Sequence, residues 1–554
     1  MSSLLPFIFN TIRKRAIDPT NKRFFLPVVL EGADGSNRQG KLLPVEEDSW
    51  SIGPITGDAG STISTAFENQ WATYLEKVKK VDLSNQYPIA SPKTPNAILN
   101  MGGAKKLTIS GLENIFVLPK PTFTPISDGY RVSTTLELDY WDGSAADRPS
   151  YPMLTIAGGY SLQQSLVLAN KGATTPNGNG DMDIDGAGMV NIEVDNAFVD
   201  VVFNVVVKDS GSAGRQLDVN VTSLLFRGED AGTTPSLNIQ SLTIDASVSA
   251  FLLDVWKQMA AKAIESPDGS AGIFRNLNVS LNQPSNLGPL SKEMSAKLAS
   301  AIDGLLGKAG NVAAIQPSST LNPVDRYIFD RIRFALNSPQ SSLFLPQLLC
   351  QTRNPSLSPL KVQQIALPTL TILGTPWQNG SLTNVDVVGL TNVQAPPTSI
   401  QVGNDDTLGF TGVLGGWNPP PPVSCSGGIA APPAKGTADF SITPQNSGPL
   451  TGKLDLTVST VNVVCACHTA GMEDSDLTIT IDSLQLSSSN VVSSIQVSLD
   501  IQSVFTPMIN KAINTQGTLE KILDTINSEL SGKLSEIGAE VTTYAREAIK
   551  NGLS

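Results

Sequence analysis

One histidine, His468, serves all 554 residues, which removes nearly every Ser-His-Asp or Cys-His arrangement except one built around that ring. Four cysteines are too few for a disulfide framework in a chain of this length, and a reducing compartment fits them best. Cys465 and Cys467 alternate in a strand-like run, about two strand rises apart and near the limit for bridging; Cys425 could pair with one of them across a sheet. No run of about 18 apolar residues occurs, so no transmembrane segment is expected. A Gly-rich phosphate loop between strand and helix is missing, as is a G-x-S-x-G elbow. Without those signatures the chain reads as no enzyme. Positive charge is the minority sign, 38 Lys and Arg against 50 Asp and Glu for a net −12. That excludes an electrostatic footprint for nucleic acid and opposes adhesion to anionic lipid. The cluster Arg13, Lys14, Arg15, Lys22 and Arg23 reads as a solvated, amphipathic start. The apolar residues at 4–9 precede those charges, the reverse of a secretory signal, so a cytoplasmic protein, or one exported without a classical signal, is expected.

What the chain does have is turn-forming residues and alternation. With 46 Gly, 37 Pro, 40% hydrophobic and 16% charged residues, it is globular and rich in turns. Residues 1–60 read as irregular, with one strand at Phe24 to Leu30. Phe67, Trp71, Tyr74, Leu75 and Val78 then form the stripe of an amphipathic helix over 65–80. From Lys106 the period becomes two, in Leu107, Ile109, Val132, Leu136 and Leu138 and in runs at 161–168, 189–194, 199–207, 217–226 and 237–248. Helical patterns follow at 251–264 and, after a short strand at Asn278 to Leu281, from Leu290 to Leu306. Residues 311–366 read as a helical linker, with Pro-bounded helices around 324–336 and 341–350.

After the linker the order restarts. Gly389-Leu-Thr-Asn-Val393 echoes Gly111-Leu-Glu-Asn-Ile115, Asp482-Ser-Leu-Gln-Leu486 echoes Thr222-Ser-Leu-Leu-Phe226, and Ser503-Val-Phe505 echoes Ser249-Ala-Phe251. Shared order, more than shared letters, points to an internal repeat. The second copy ends in the clearest helical pattern, Phe505 to Ile549, whose part after Gly517 would exceed about 40 Å as one helix. A surface that long needs a partner, and a twisted sheet curling around it supplies one. The partition is an N-terminal segment 1–100, a first sheet-helix module 101–310, a linker 311–366 and a second module 367–554. The fold class is α+β: tandem modules of strongly curved antiparallel sheet, each packed on a long C-terminal amphipathic helix.

That plan, over Lys106 to Leu306 and Leu367 to Leu553, resembles the tubular lipid-binding (TULIP) superfamily. The acidic, cysteine-poor composition is closer to its bacterial members, the P47 and OrfX proteins of toxin gene clusters. The resemblance lies in pattern, with no diagnostic motif and no functional residue to carry over. It implies binding of a lipid or other apolar ligand between helix and sheet or, for the bacterial relatives, a protein partner in toxin delivery. Set beside this is a plain structural or protein-interaction component with a filled core, since close packing is the rule in protein interiors.

Two local patterns point to metals. Asp181, Asp183 and Asp185, followed by Gly186 and preceded by Asn177 and Asn179, match the first half of a calcium loop, where hard oxygens converge on one cation. The twelfth position holds Ile192 instead of the bidentate Glu, so a polar turn is the competing reading. Cys465, Cys467 and His468, with Cys425 upstream, offer zinc-binding atoms without the usual two-to-four residue gap. Trp417 and Pro419 to Pro422 read as a stiff connector more readily than as a polyproline ligand.

Overall fold

The computed structural model describes the chain apart from residues 1–3, 17–44 (except 18, 20, 21 and 24), 56–88, 93–96, 139–153, 169–179, 210–214, 246–249, 307–321, 352–358 (except 357), 396–399, 403–406, 415–433, 472–475, 488–492, 501–503, 553–554 and single positions between. The helix expected over 65–80, the Trp417 to Pro422 run and Cys425 lie outside the described residues.

In chain order the first half contains α1 (Leu4–Ala16), β1 (Val45–Ile55), β2 (Ile89–Pro92), β3 (Ala97–Ser110), β4 (Ile115–Val117), β5 (Thr122–Ile126), β6 (Gly129–Leu138), β7 (Thr155–Leu168), β8 (Gly180–Asp195), β9 (Ala197–Asp209), β10 (Arg215–Arg227) and β11 (Ser236–Leu242). Three helices follow, α2 (Ala250–Glu265), α3 (Pro267–Leu281) and α4 (Pro284–Leu306), and then α5 (Pro323–Asn337) and α6 (Leu345–Gln351). The second half runs β12 (Leu360–Ala366), β13 (Leu370–Ile372), β14 (Thr375–Val388), β15 (Val393–Gln394), β16 (Ile400–Val402), β17 (Thr407–Leu414), β18 (Ala434–Thr443), β19 (Leu450–Val458), β20 (Val461–Ala470), β21 (Thr478–Ser487) and β22 (Ser493–Leu499). It closes with α7 (Thr506–Ile513), α8 (Gln516–Ser531) and α9 (Leu534–Gly552).

The strand orders of the halves match place for place. A six-stranded antiparallel sheet β1-β3-β7-β8-β11 corresponds to β12-β14-β18-β19-β22, and a five-stranded sheet β4-β6-β9-β10 to β15-β17-β20-β21. The short strands β5 and β16 sit on β6 and β17, while β2 and β13 take different neighbours, β7 and β14. Even a bulge recurs. Thr222 is the extra residue where β10 pairs β9, and Asp482 where β21 pairs β20. Such bulges bend a strand and raise its twist, which helps each sheet wrap its helices. The architecture is α+β, a tandem of antiparallel sheets each followed by C-terminal amphipathic helices.

Side chains on the helices complete the sheet edges. Asn278 of α3 and Asn282, the helix's C-cap one turn on, each accept a backbone N–H and donate to the C=O of one β10 residue, Phe226 (2.7 and 3.2 Å) and Leu224 (3.0 and 2.6 Å). A four-residue helical step, about 6 Å, nearly equals a two-residue strand step, about 6.8 Å, so successive amides meet alternate strand residues. Asn510 of α7 and its C-cap Asn514 do the same for Val497 and Ile495 of β22. Asn527 of α8 does so for Leu486 of β21, and Thr542 of α9 for Ile479. The backbone groups an edge strand would leave unpaired are thereby satisfied.

Four sequence expectations are corrected. Asn278 to Leu281 is helical, and Asn278 with the C-cap Asn282 works at i, i+4 toward β10; a four-residue run fits either period. The terminal helix is three helices, broken after Ile513 and again at Gly532, whose N–H bonds Ser528 O at 3.2 Å. The segment before residue 100 does not stand apart, since α1 packs in the first core and β1, β2 and the start of β3 belong to its sheet. Residues 311–366 are not a separate linker either. There α5 is buried in the first core, with Tyr130 Oη donating to Asp325 at 2.5 Å, while β12 already belongs to the second sheet. The first core also takes in Leu477, Ala545 and Ile549 from the second half.

Candidate functional site

An apolar cavity of about 110 Å³ lies in the second half between its helices and its five-stranded sheet. Three layers build it. Leu530 of α8 and Ile537 and Val541 of α9 face the sheet on either side of the Gly532 break. Val463 and Cys465 of β20 and Ile481, Leu484 and Leu486 of β21 form the floor, and Leu345 and Leu349 of α6 close a side with Leu357, Leu390 and Val393. None of these side chains carries charge. The walls therefore favour hydrocarbon and offer no fixed partner to a polar head group. Close helix approach is set beside it, where a Cβ on Gly538 of α9 would stand 3.1 Å from Ile479 O.

The first half shows why the second is hollow. By the matching registers Val463, Cys465 and Cys467 stand where Val199, Val201 and Phe203 stand on β9, and Ile481, Leu484 and Leu486 where Val221, Leu224 and Phe226 stand on β10. Every one of those six residues in the first half is buried. Phe203 and Phe226 are larger than Cys467 and Leu486, and α1 sets Phe9 against Phe203 and Phe123, both ring centroids at 5.7 Å. In the second half the helix packed on the matching strand, β15, is α6, with 7 residues against 13 in α1. The difference is about 9 Å of helix. Smaller side chains and a shorter helix leave volume unfilled.

Cys465 contributes the only heteroatom among the lining side chains. Its hydrogen bond to Cys467, and then burial, push its thiol up from the ordinary cysteine value, so it remains a protonated, weakly polar wall group. Cys465 and Cys467 are free thiols, and neither pairs with Cys425. Cys350 at the end of α6 is disulfide-bonded. His468 Nδ1 faces Asp482 Oδ1 and Oδ2 at 3.0 and 3.1 Å on the exposed side of β20, a surface pair. Among the described residues no group of three metal-ligating side chains is brought together.

The backbone of Asp181, Asp183 and Asp185 lies in β8, opposite Val167, Ser165 and Gln163 of β7. Alternate strand residues are about 6.8 Å apart, whereas a calcium loop curls to converge its oxygens. The side chains of Asp181 and Asp183, and residues Asn177 and Asn179, lie outside the described residues. Melting curves in EDTA and in millimolar calcium are expected to coincide if the polar-turn reading holds; a calcium-dependent rise in Tm would support the site.

The sequence reading names Cys465 as a possible metal ligand and Val393 and Leu486 as repeat markers, but reads no cavity among them. Their alternation at Val463 and Cys465, and at Leu484 and Leu486, announces an inward face, but a void is a difference of volumes between layers and leaves no motif.

No family model matches the chain, and no curated protein matches it by sequence. Among solved structures it is similar to lipopolysaccharide binding protein, with 10% identity and a TM-score of 0.18 over 89% of this chain and 92% of that one. It is also similar to Takeout 1 of Epiphyas postvittana, with 12% identity and a TM-score of 0.18 over 39% of this chain and 88% of that one. Scores this low carry no argument, and the fold assignment rests on topology. No described helix is long and apolar enough to cross a membrane.

Proposed function

We propose that the protein is a non-enzymatic binding scaffold of TULIP-like build whose second half takes an apolar ligand, a lipid or part of one, between α8–α9 and the sheet. One observation carries the proposal: a cavity of about 110 Å³ whose lining is aliphatic but for one thiol. An engineered apolar cavity of about 150 Å³ stays dry and takes up benzene, so this one suits a short stretch of alkyl chain whose remainder runs outward. We read the halves as two copies of one module, at 45–306 and 360–552.

The test is titration with decanoic acid, followed by native mass spectrometry and fluorescence displacement. Wild type is expected to bind at least one molecule, in the second half. Leu484→Trp, which fills the cavity from a partly buried floor position, is expected to weaken binding at least about tenfold, roughly 1.4 kcal/mol, with Tm nearly unchanged. A ligand-free spectrum at millimolar decanoic acid would sink the reading.

A second reading is a protein-interaction or structural component of a bacterial toxin or secretion system. It is favoured by Leu373 and Val504, 72% and 78% exposed, and by the partly exposed Met508. Leu373 sits in the left-handed region at φ 54, where glycine or asparagine would be unstrained, so an exposed leucine there is unexplained by folding alone.

A further inference from the structure

Helix α1 is enclosed in a way its sequence does not reward. From Leu5 to Ala16 no residue is exposed, and Leu5, Phe7 and Ile8 belong to the first core. The enclosure takes in polar groups as well. Asn10 is 3% exposed and Thr11 0%, and among the described residues Asn10 Oδ1 and Thr11 Oγ1 have no hydrogen-bond partner. A helical threonine ordinarily bonds back to the carbonyl one turn earlier, and buried polar atoms without partners weaken whatever packing encloses them. A permanent core element would carry apolar residues at those two positions.

The place α1 occupies is the second observation. It packs on β4, and α6 packs on the matching strand β15. Phe9 rests on Phe203, whose counterpart is Cys467, two residues along β20 from the cavity wall at Cys465. In the second half that place is taken by the shorter α6, and its Leu345 and Leu349 border the cavity.

We infer that α1 is a displaceable occupant of the first half, standing in that module for the aliphatic chain that the cavity of the second half takes. This rests on the apolar-ligand reading above and adds to it a second, covered site whose opening requires α1 to leave. When α1 is docked, Phe7, Phe9 and Ile8 fill the volume a hydrocarbon chain would fill. When a chain displaces it, Asn10 and Thr11 return to water and recover their hydrogen bonds, which offsets part of the exposure of its aromatic side chains. The two contributions act in opposite directions, so the equilibrium responds to ligand concentration.

The experiment uses the full chain and decanoic acid, with limited trypsin digestion at Arg13, Lys14 and Arg15 in the last turn of α1. Cleavage of a transiently opened segment follows its open population. Decanoic acid is expected to speed cleavage at these sites by at least about fivefold. Asn10→Leu with Thr11→Val, which removes both partnerless polar groups, is expected to slow cleavage and to hold binding at one molecule per chain. Phe9→Ala is expected to raise it to two. If decanoic acid binds and Leu484→Trp abolishes that binding, yet cleavage at Arg13 to Arg15 does not change with ligand, the displaceable-helix reading fails and the binding function stands. If nothing binds at all, both fall. Because the Asn10→Leu and Thr11→Val changes are apolar, a misfolded Phe9→Ala protein would still leave a decisive comparison with wild type.

Discussion

Asn527→Leu is expected to lower the melting temperature of the second module by about 5 to 10 °C. The side chains are close in volume, so packing changes little. What disappears is the pair of hydrogen bonds that Asn527 makes with the N–H and C=O of Leu486, at 2.7 and 3.0 Å. A backbone group left unpaired away from water costs about 1 to 3 kcal/mol, and two partly buried groups give about 2 to 4 kcal/mol. For a domain of this size each kcal/mol moves Tm by about 2 to 4 °C. Thr543→Ala is the control. Its hydroxyl bonds only Ala539 O within the same helix and is exposed, so a change within about 0.5 kcal/mol is expected. Calorimetry of the two variants side by side decides it; equal shifts would mean that the edge amides contribute nothing beyond helix propensity.

Leu530→Ala is expected to remove about 3 kcal/mol of stability, and decanoic acid to return most of it. Leu530 is 2% exposed and stands in the cavity wall. Its loss combines the transfer free energy of the missing carbons with a larger void, and buried Leu→Ala changes fall at about 2 to 5 kcal/mol. A ligand that binds the folded chain stabilises it by mass action, about 2.7 kcal/mol at a hundredfold excess over Kd. The variant should therefore melt lower than wild type without ligand and gain more from it, with tighter binding of longer chains. A variant that loses stability and gains nothing from decanoic acid would show that its enlarged cavity takes no hydrocarbon. Paired with Leu484→Trp, it moves one volume in both directions.

Much of the plan was legible because strand order is written in turns and periods. The strings at Gly111 and Gly389 lead into β4 and β15, both glycines taking left-handed backbone, φ 87 and 86. Those at Thr222 and Asp482 lie at matching bulges in β10 and β21. What was not legible depends on partners far away in sequence. Asn278 and Asn282 look like strand residues until β10 is beside them. Gly532 reads as one more small residue in a helical stripe, yet the chain breaks there. The cluster from Arg13 to Arg23 reads as a solvated start, because the surface that accepts Phe9 is built from Phe123 of β5 and Phe203 of β9. The cavity was illegible for the same reason: only the comparison of Cys467 with Phe203, and of α6 with α1, reveals the missing volume.

The edge amides carry one more consequence. A strand whose outer hydrogen bonds are taken by another strand invites further strands to join, whereas β10, β21 and β22 are finished by side chains that present no continuing ladder. An incoming chain would have to unseat asparagines already bonded twice before it could register against these edges. The helices therefore act as terminators of sheet growth, and a protein with two large curved sheets per half has three of its edges closed to polymerisation.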